Sequence, residues 1–98
     1  MSHFAYLLYP TRPGFSPATL TPVEAETIDR HFHYLEELLA RGQLLLAGPC
    51  LDGSLGLGIF ETETEAEARA LMAADPAVVA GVFRAEVRPM RISLLRQR

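Results

Sequence analysis

Lysine is absent from this 98-residue chain, and all 9 of its basic residues are arginine. Schiff-base chemistry and a phosphate-loop lysine are therefore excluded. Cysteine is almost absent, since Cys50 stands alone and cannot close an internal disulfide. With no signal-peptide pattern at the N-terminus, the expected compartment is the cytoplasm. Long apolar runs are missing as well. Stretches such as Leu44 to Ala47 last only a handful of residues, so no membrane-spanning helix is expected. Positive charge is scarce. The 9 arginines face 12 acidic residues, for a net charge of −3. Nucleic acid is not an expected partner, because phosphate contacts need a clustered positive face. There is no CxxC or HExxH, and His31 and His33 sit two residues apart, on different sides of a helix. Neither a metal nor another cofactor is expected.

What is present reads as one globular domain over residues 1–98, with 49% hydrophobic and 21% charged residues and no linker or repeat. His3 to Tyr9 is aromatic, apolar and stopped by Pro10, which predicts a strand. A proline-rich loop follows over 10–20. Thr21, Pro22 and Glu24 form a capping box with proline at the first helical position, and Gly42 marks the stop, so a helix is expected over 22–41. Gln43 to Pro49 predicts a second strand. Leu55 to Phe60 predicts a third, with Gly56 and Gly58 on one face, where a helix or ligand can approach closely. Thr64 to Glu67 is a second capping box opening a helix that Asp75-Pro76 ends. A last strand runs from Val82 to about Leu94, with Pro89 suggesting a sheet edge or a bulge.

The order β-α-β-β-α-β with right-handed crossings gives a four-stranded antiparallel sheet with two helices on one face, an α+β ferredoxin-like fold. In the first strand Phe4, Tyr6 and Leu8 point one way and Ala5, Leu7 and Tyr9 the other. Leu44/Leu46 and Leu45/Ala47 repeat this pattern. Both faces are apolar and the helices cover only one, so a homodimer through the open sheet face is expected. The alternative is that the 10–20 loop folds over it.

On a helical wheel, Ile28, Phe32, Leu35 and Leu39 share one stripe, the expected buried face. His31 lies about 60° from its centre and His33 about 140° away, so His31 borders the core and His33 faces solvent. His31 is then a candidate general acid/base, or a boundary histidine that only packs and hydrogen-bonds. Asp75 sits in an apolar neighbourhood and needs partners. Either the N–H groups of the next turn or His31 on the adjacent helix can supply them. Cys50 reads first as a small half-buried side chain. Arg84, Glu86 and Arg88 alternate along the last strand as a solvated or interface face, or as anion contacts.

Two longer motifs carry a resemblance. The run His31-Phe-His-Tyr34-Leu35-x-x-Leu38-x-x-x-Gly42-x-Leu44-Leu45-x-Ala47-Gly48-Pro49 resembles the YCII-related (YciI-like) family, and so does Ala74-Asp75-Pro76-x-x-x-Ala80-Gly81-Val82-Phe83, ending in Val87-Arg88-Pro89. One departure is Asp29-Arg30, where many members carry a basic residue and proline. The resemblance implies ferredoxin-like domains pairing into a dimeric α+β barrel, and a His–Asp pair that falls on His31 and Asp75. It also implies a cofactor-free acid/base enzyme acting on a small organic molecule, cyclic or aromatic compounds being candidates. One relative resembles a dehydrochlorinase of a chlorinated hydroxyhydroquinone. Tyr6, Tyr34 and Phe83 are expected to line the substrate site and Arg88 to contact a carboxylate. The competing expectation is a non-catalytic module that binds a small ligand or dimerises.

Overall fold

The computed structural model describes residues 1–96 of the chain. Its elements are β1 (Ser2–Pro10), a 3₁₀ turn (Pro17–Thr19), α1 (Pro22–Ala40), β2 (Leu44–Pro49), β3 (Gly56–Thr62), α2 (Glu65–Ala74), a one-turn α3 (Pro76–Val79) and β4 (Phe83–Met90). All neighbouring strands pair antiparallel in the order β2-β3-β1-β4. This is the expected ferredoxin-like sheet, with β1 and β3 inside. Pro89 lies on β4, an edge strand, where its missing N–H costs no ladder bond. β4 ends at Met90, short of the expected Leu94.

The alternation in β1 is as the sequence dictates. Phe4, Tyr6 and Leu8 are buried under the helices, and Ala5, Leu7 and Tyr9 lie half-buried on the other face. Phe60, Leu44, Leu38, Ala68 and Val87 complete the core. β2 departs from the expected alternation. Leu44 pairs with Phe60, but Leu46 pairs with Ile59, so one residue is bulged out between them. The bulge sends Leu44 to the helix face and Leu46 to the open face, where they had been expected to point the same way.

α1 begins as its sequence requires. The Thr21 hydroxyl accepts from the Glu24 N–H, and Glu24 accepts in return from the Thr21 N–H. Gly42, at φ 78°, takes the left-handed conformation that ends the helix. At α2 only half of the expected box forms. Thr64 accepts from the Glu67 N–H, while its hydroxyl, rather than its N–H, meets the Glu67 carboxylate.

The buried stripe of α1 is rotated from the expected one. Thr27 and Leu38 are fully buried, whereas Phe32 and Leu39 are 54% and 53% exposed. On the same wheel the buried centre lies roughly 80–90° from Ile28, on the His31 side. The helix carries two apolar stripes, and the richer one is not the one that packs on the sheet.

The loop between β1 and α1 is latched to the helix start. Arg12 donates to both Glu24 carboxylate oxygens at 2.8 and 2.9 Å and to the Thr19 carbonyl at 2.9 Å. Its hydrogen bonds, then that of the Thr21 N–H, lower the Glu24 carboxyl to about 2. A carboxyl lowered by folding stabilises the fold above its unfolded value, and that contribution fades as pH falls toward about 2. In an NMR titration Glu24 should therefore keep its charge well below the usual carboxylate range. In Arg12→Gln its midpoint should move up toward about 4.

Candidate functional site

Asp75 ends α2 and starts α3. Pro76 forbids continuation of α2, and the Asp75 carboxylate caps α3 by accepting from the Ala77 N–H at 2.9 Å. A cap of this kind is worth about 1 kcal/mol. Asp75 is 0% exposed, and desolvating a carboxylate costs several kcal/mol. The cap alone does not offset that cost, and two further donors reach the same group. The Tyr6 hydroxyl donates at 2.7 Å, and His31 Nδ1 sits 2.7 and 2.8 Å from the two oxygens. The two partner sets that the sequence left open are thus both present.

The geometry fixes the imidazole. An ionised carboxylate only accepts, so Nδ1 carries the hydrogen and donates it. Nε2, on the far edge of the ring, has no hydrogen-bond partner among the described residues and is the basic nitrogen of the neutral ring. The His31 side chain is 11% exposed, against 68% for His33. Phe83 packs edge-on to the imidazole at 5.7 Å, and Phe15 packs edge-on to Phe83 at 5.6 Å.

His31 opens onto a groove of about 670 Å³. Its walls are the second stripe of α1 (Ile28, Phe32, Leu35, Leu39), the 10–20 loop through Phe15 and Leu20, and the glycines of β3. Gly56 and Gly58 belong to the helix face of the sheet. A methyl group at Gly56 would touch Leu8 at 3.6 Å, and one at Gly58 would lie 3.4 Å from the Leu46 carbonyl. The missing side chains are what leave the floor open.

The sequence-predicted site residues divide between the groove and other places. His31, Tyr6 and Phe83 line the groove, and Asp75 lies directly behind His31. The Tyr6 hydroxyl is turned to Asp75, and its ring stacks on Phe60 at 4.4 Å. Burial first, then the charge of Asp75, pushes the Tyr6 phenol above its ordinary value, so it stays a donor. Tyr34 does not reach the groove, because its hydroxyl donates to the Leu71 carbonyl at 2.7 Å and ties α1 to α2. Arg88 does not reach it either. It alternates with buried Val87, is exposed, and pairs with Glu86 at 3.2 Å. Cys50 is exposed rather than half-buried, in the turn after β2. Among the described residues no three His, Cys, Asp or Glu side chains gather to hold a metal ion. Sequence reasoning missed the link from Tyr6 to Asp75, and it missed Phe15, Leu20 and Ile28 as walls. The available signal was a helix with more apolar positions than one buried stripe can use.

These features define a ferredoxin-like α+β domain with an imidazole–carboxylate pair at an apolar groove. The chain belongs to the YCII-related family, whose domain model matches residues 5–91. A solved structure with the same fold is the 5-chloro-2-hydroxyhydroquinone dehydrochlorinase (TftG) from Burkholderia phenoliruptrix AC1100, in complex with 2,5-dihydroxybenzoquinone. It is 24% identical, with a TM-score of 0.66, over 90% of this chain and 93% of that chain. No curated protein matches the chain.

Removing Asp75 orphans three donors from two helices and the central strand. Asp75→Ala should cost about 3–5 kcal/mol in urea denaturation. Tyr6→Phe, which removes one hydrogen bond to a charged group, should cost about 1.5–3 kcal/mol.

Proposed function

We propose that this protein is a small enzyme in which His31 moves a proton at Nε2 and Asp75 orients the ring. The single observation that carries the reading is the imidazole held through Nδ1 by a buried carboxylate, with its other edge beside an apolar groove. In the forward step a C–H or O–H bond of the ligand breaks and its electron pair stays on the ligand. The proton moves to Nε2, and the imidazolium so formed is balanced by Asp75. The carboxylate holds the ring in one tautomer. Tyr6 is a positioning residue, since it touches Asp75 rather than the groove's contents through its hydroxyl.

The ligand in this reading is a small organic molecule of cyclic or aromatic kind, and no cofactor takes part. The small cyclic ligand in the structure of the similar fold supports that choice. A cytoplasmic location goes with the solitary cysteine.

The reading includes a homodimer through the open sheet face, as a dimeric α+β barrel. That face carries Leu7, Ile59, Leu57 and Leu46, with the last two 40% and 42% exposed. Charged and polar groups flank them. His3 meets Glu61 at 2.8 Å, and Arg84 lies over the Tyr9 ring at 4.5 Å. An apolar centre with a polar rim is the anatomy of a protein interface. Light scattering should give twice the chain mass for the wild type and the single-chain mass for Ile59→Arg.

A second reading is a ligand-binding module in which the pair is structural, favoured by the use of Asp75 to cap α3. Deuterium exchange into 2-tetralone, a cyclic ketone that is uncharged at neutral pH, measured in D₂O, separates the two. The wild type should accelerate exchange, and His31→Gln should lower the rate by about 10²-fold or more. Ligand binding without acceleration, unchanged in His31→Gln, would establish the module instead.

A further inference from the structure

We propose that the groove beside His31 selects an uncharged, mostly apolar ligand longer than a single ring, with one hydroxyl or enol head at Nε2, and rejects carboxylates and phosphates. The proposal rests on the reading of His31 as the reacting group and names what that group is offered.

Length comes from α1. Its groove stripe runs from Ile28 to Leu39, about 16 Å of helix at 1.5 Å per residue. Phe83 and Phe15 close the His31 end. An apolar body lying along Phe32, Leu35 and Leu39 gains affinity with every ring that leaves water.

Charge selection comes from what the walls contain. Among the described residues that line the groove there is no arginine, and the only carboxylate is Glu36. Arg12 does not line the groove: its guanidinium lies over the Phe15 ring at 5.8 Å and is committed to Glu24 and the Thr19 carbonyl. Arg84 and Arg88 belong to the other face of the sheet and pair with Glu86. The starts of two helices, a common refuge for anions, are taken. Thr21 and Glu24 cap α1, and Asp75 caps α3. An anion entering the groove therefore loses water and meets no cation. Besides Glu36, the ionisable side chain it meets is the imidazole, whose free nitrogen offers a lone pair when the ring is neutral. A hydroxyl or enol proton matches that lone pair and a carboxylate does not.

The test is calorimetric titration of the wild-type protein with phenol, 2-naphthol and 6-hydroxy-2-naphthoate, with ¹⁵N-histidine NMR to locate the head group. 2-Naphthol should bind about tenfold or more tighter than phenol. 6-Hydroxy-2-naphthoate should bind about tenfold or more weaker than 2-naphthol. The His31 Nε2 resonance should shift on binding. Phe32→Arg places a cation on a half-exposed wall and should reverse the naphthol–naphthoate order. Leu39→Arg is the second variant should the first fail to fold. The proposal is overturned if the naphthoate binds as well as 2-naphthol, if 2-naphthol binds no tighter than phenol or not at all, or if Nε2 does not respond. Repeating the titration on His31→Gln separates the two claims. A preserved order, with proton exchange untouched by the substitution, sinks the catalytic reading and leaves the ligand class standing. His31-dependent exchange, together with wild-type binding of the naphthoate as tight as that of 2-naphthol, does the opposite.

Discussion

One buried carboxylate organises this molecule. Asp75 accepts from Tyr6 on the central strand, His31 on the long helix and Ala77 at the start of α3. Without those donors a fully buried charge would be too expensive to keep. With them, it fixes where α1 lies on the sheet and which way one imidazole points. The two helices and β1 meet at a single atom group, so the fold and the site share a fastening.

The groove follows from how α1 uses its surface. A helix resting on a sheet needs one apolar stripe, and Thr27, Leu38, Tyr34 and Leu35 supply it. Ile28, Phe32 and Leu39 are surplus to that need and face a space floored by glycines and bordered by the latched 10–20 loop. His31 falls between the two stripes. Its inner edge is therefore tied to Asp75 while the ring still borders the groove, a division that neither a core nor a surface position allows.

Much of this was legible in the chain. Strict alternation in β1, a capping box with proline at Thr21-Pro22, and the Asp75-Pro76 stop each state a local rule that the structure obeys. The helical wheel placed His31 at the border of an apolar stripe, and it does lie at a boundary, although the stripe that packs on the sheet is the other one. The buried stripe of α1 was not legible, because hydrophobicity reports that a face avoids water and not whether sheet or cavity receives it. The β2 bulge was equally hidden. A run of leucines has no alternation to break, so nothing marked the place where Leu46 changes face. Tyr34 and Arg88 are of residue types that suit ligand contacts. Only three-dimensional packing assigns one to an interhelical tie and the other to the far side of the sheet.

The double duty of Asp75 has an evolutionary corollary. The acid stops one helix and starts the next, so folding alone holds a lineage to it. The histidine is under a looser obligation, since another side chain that brings a donor to Asp75 from that position would serve the fold as well. Among descendants, change would therefore be written first at position 31, with the Asp-Pro kink outlasting it.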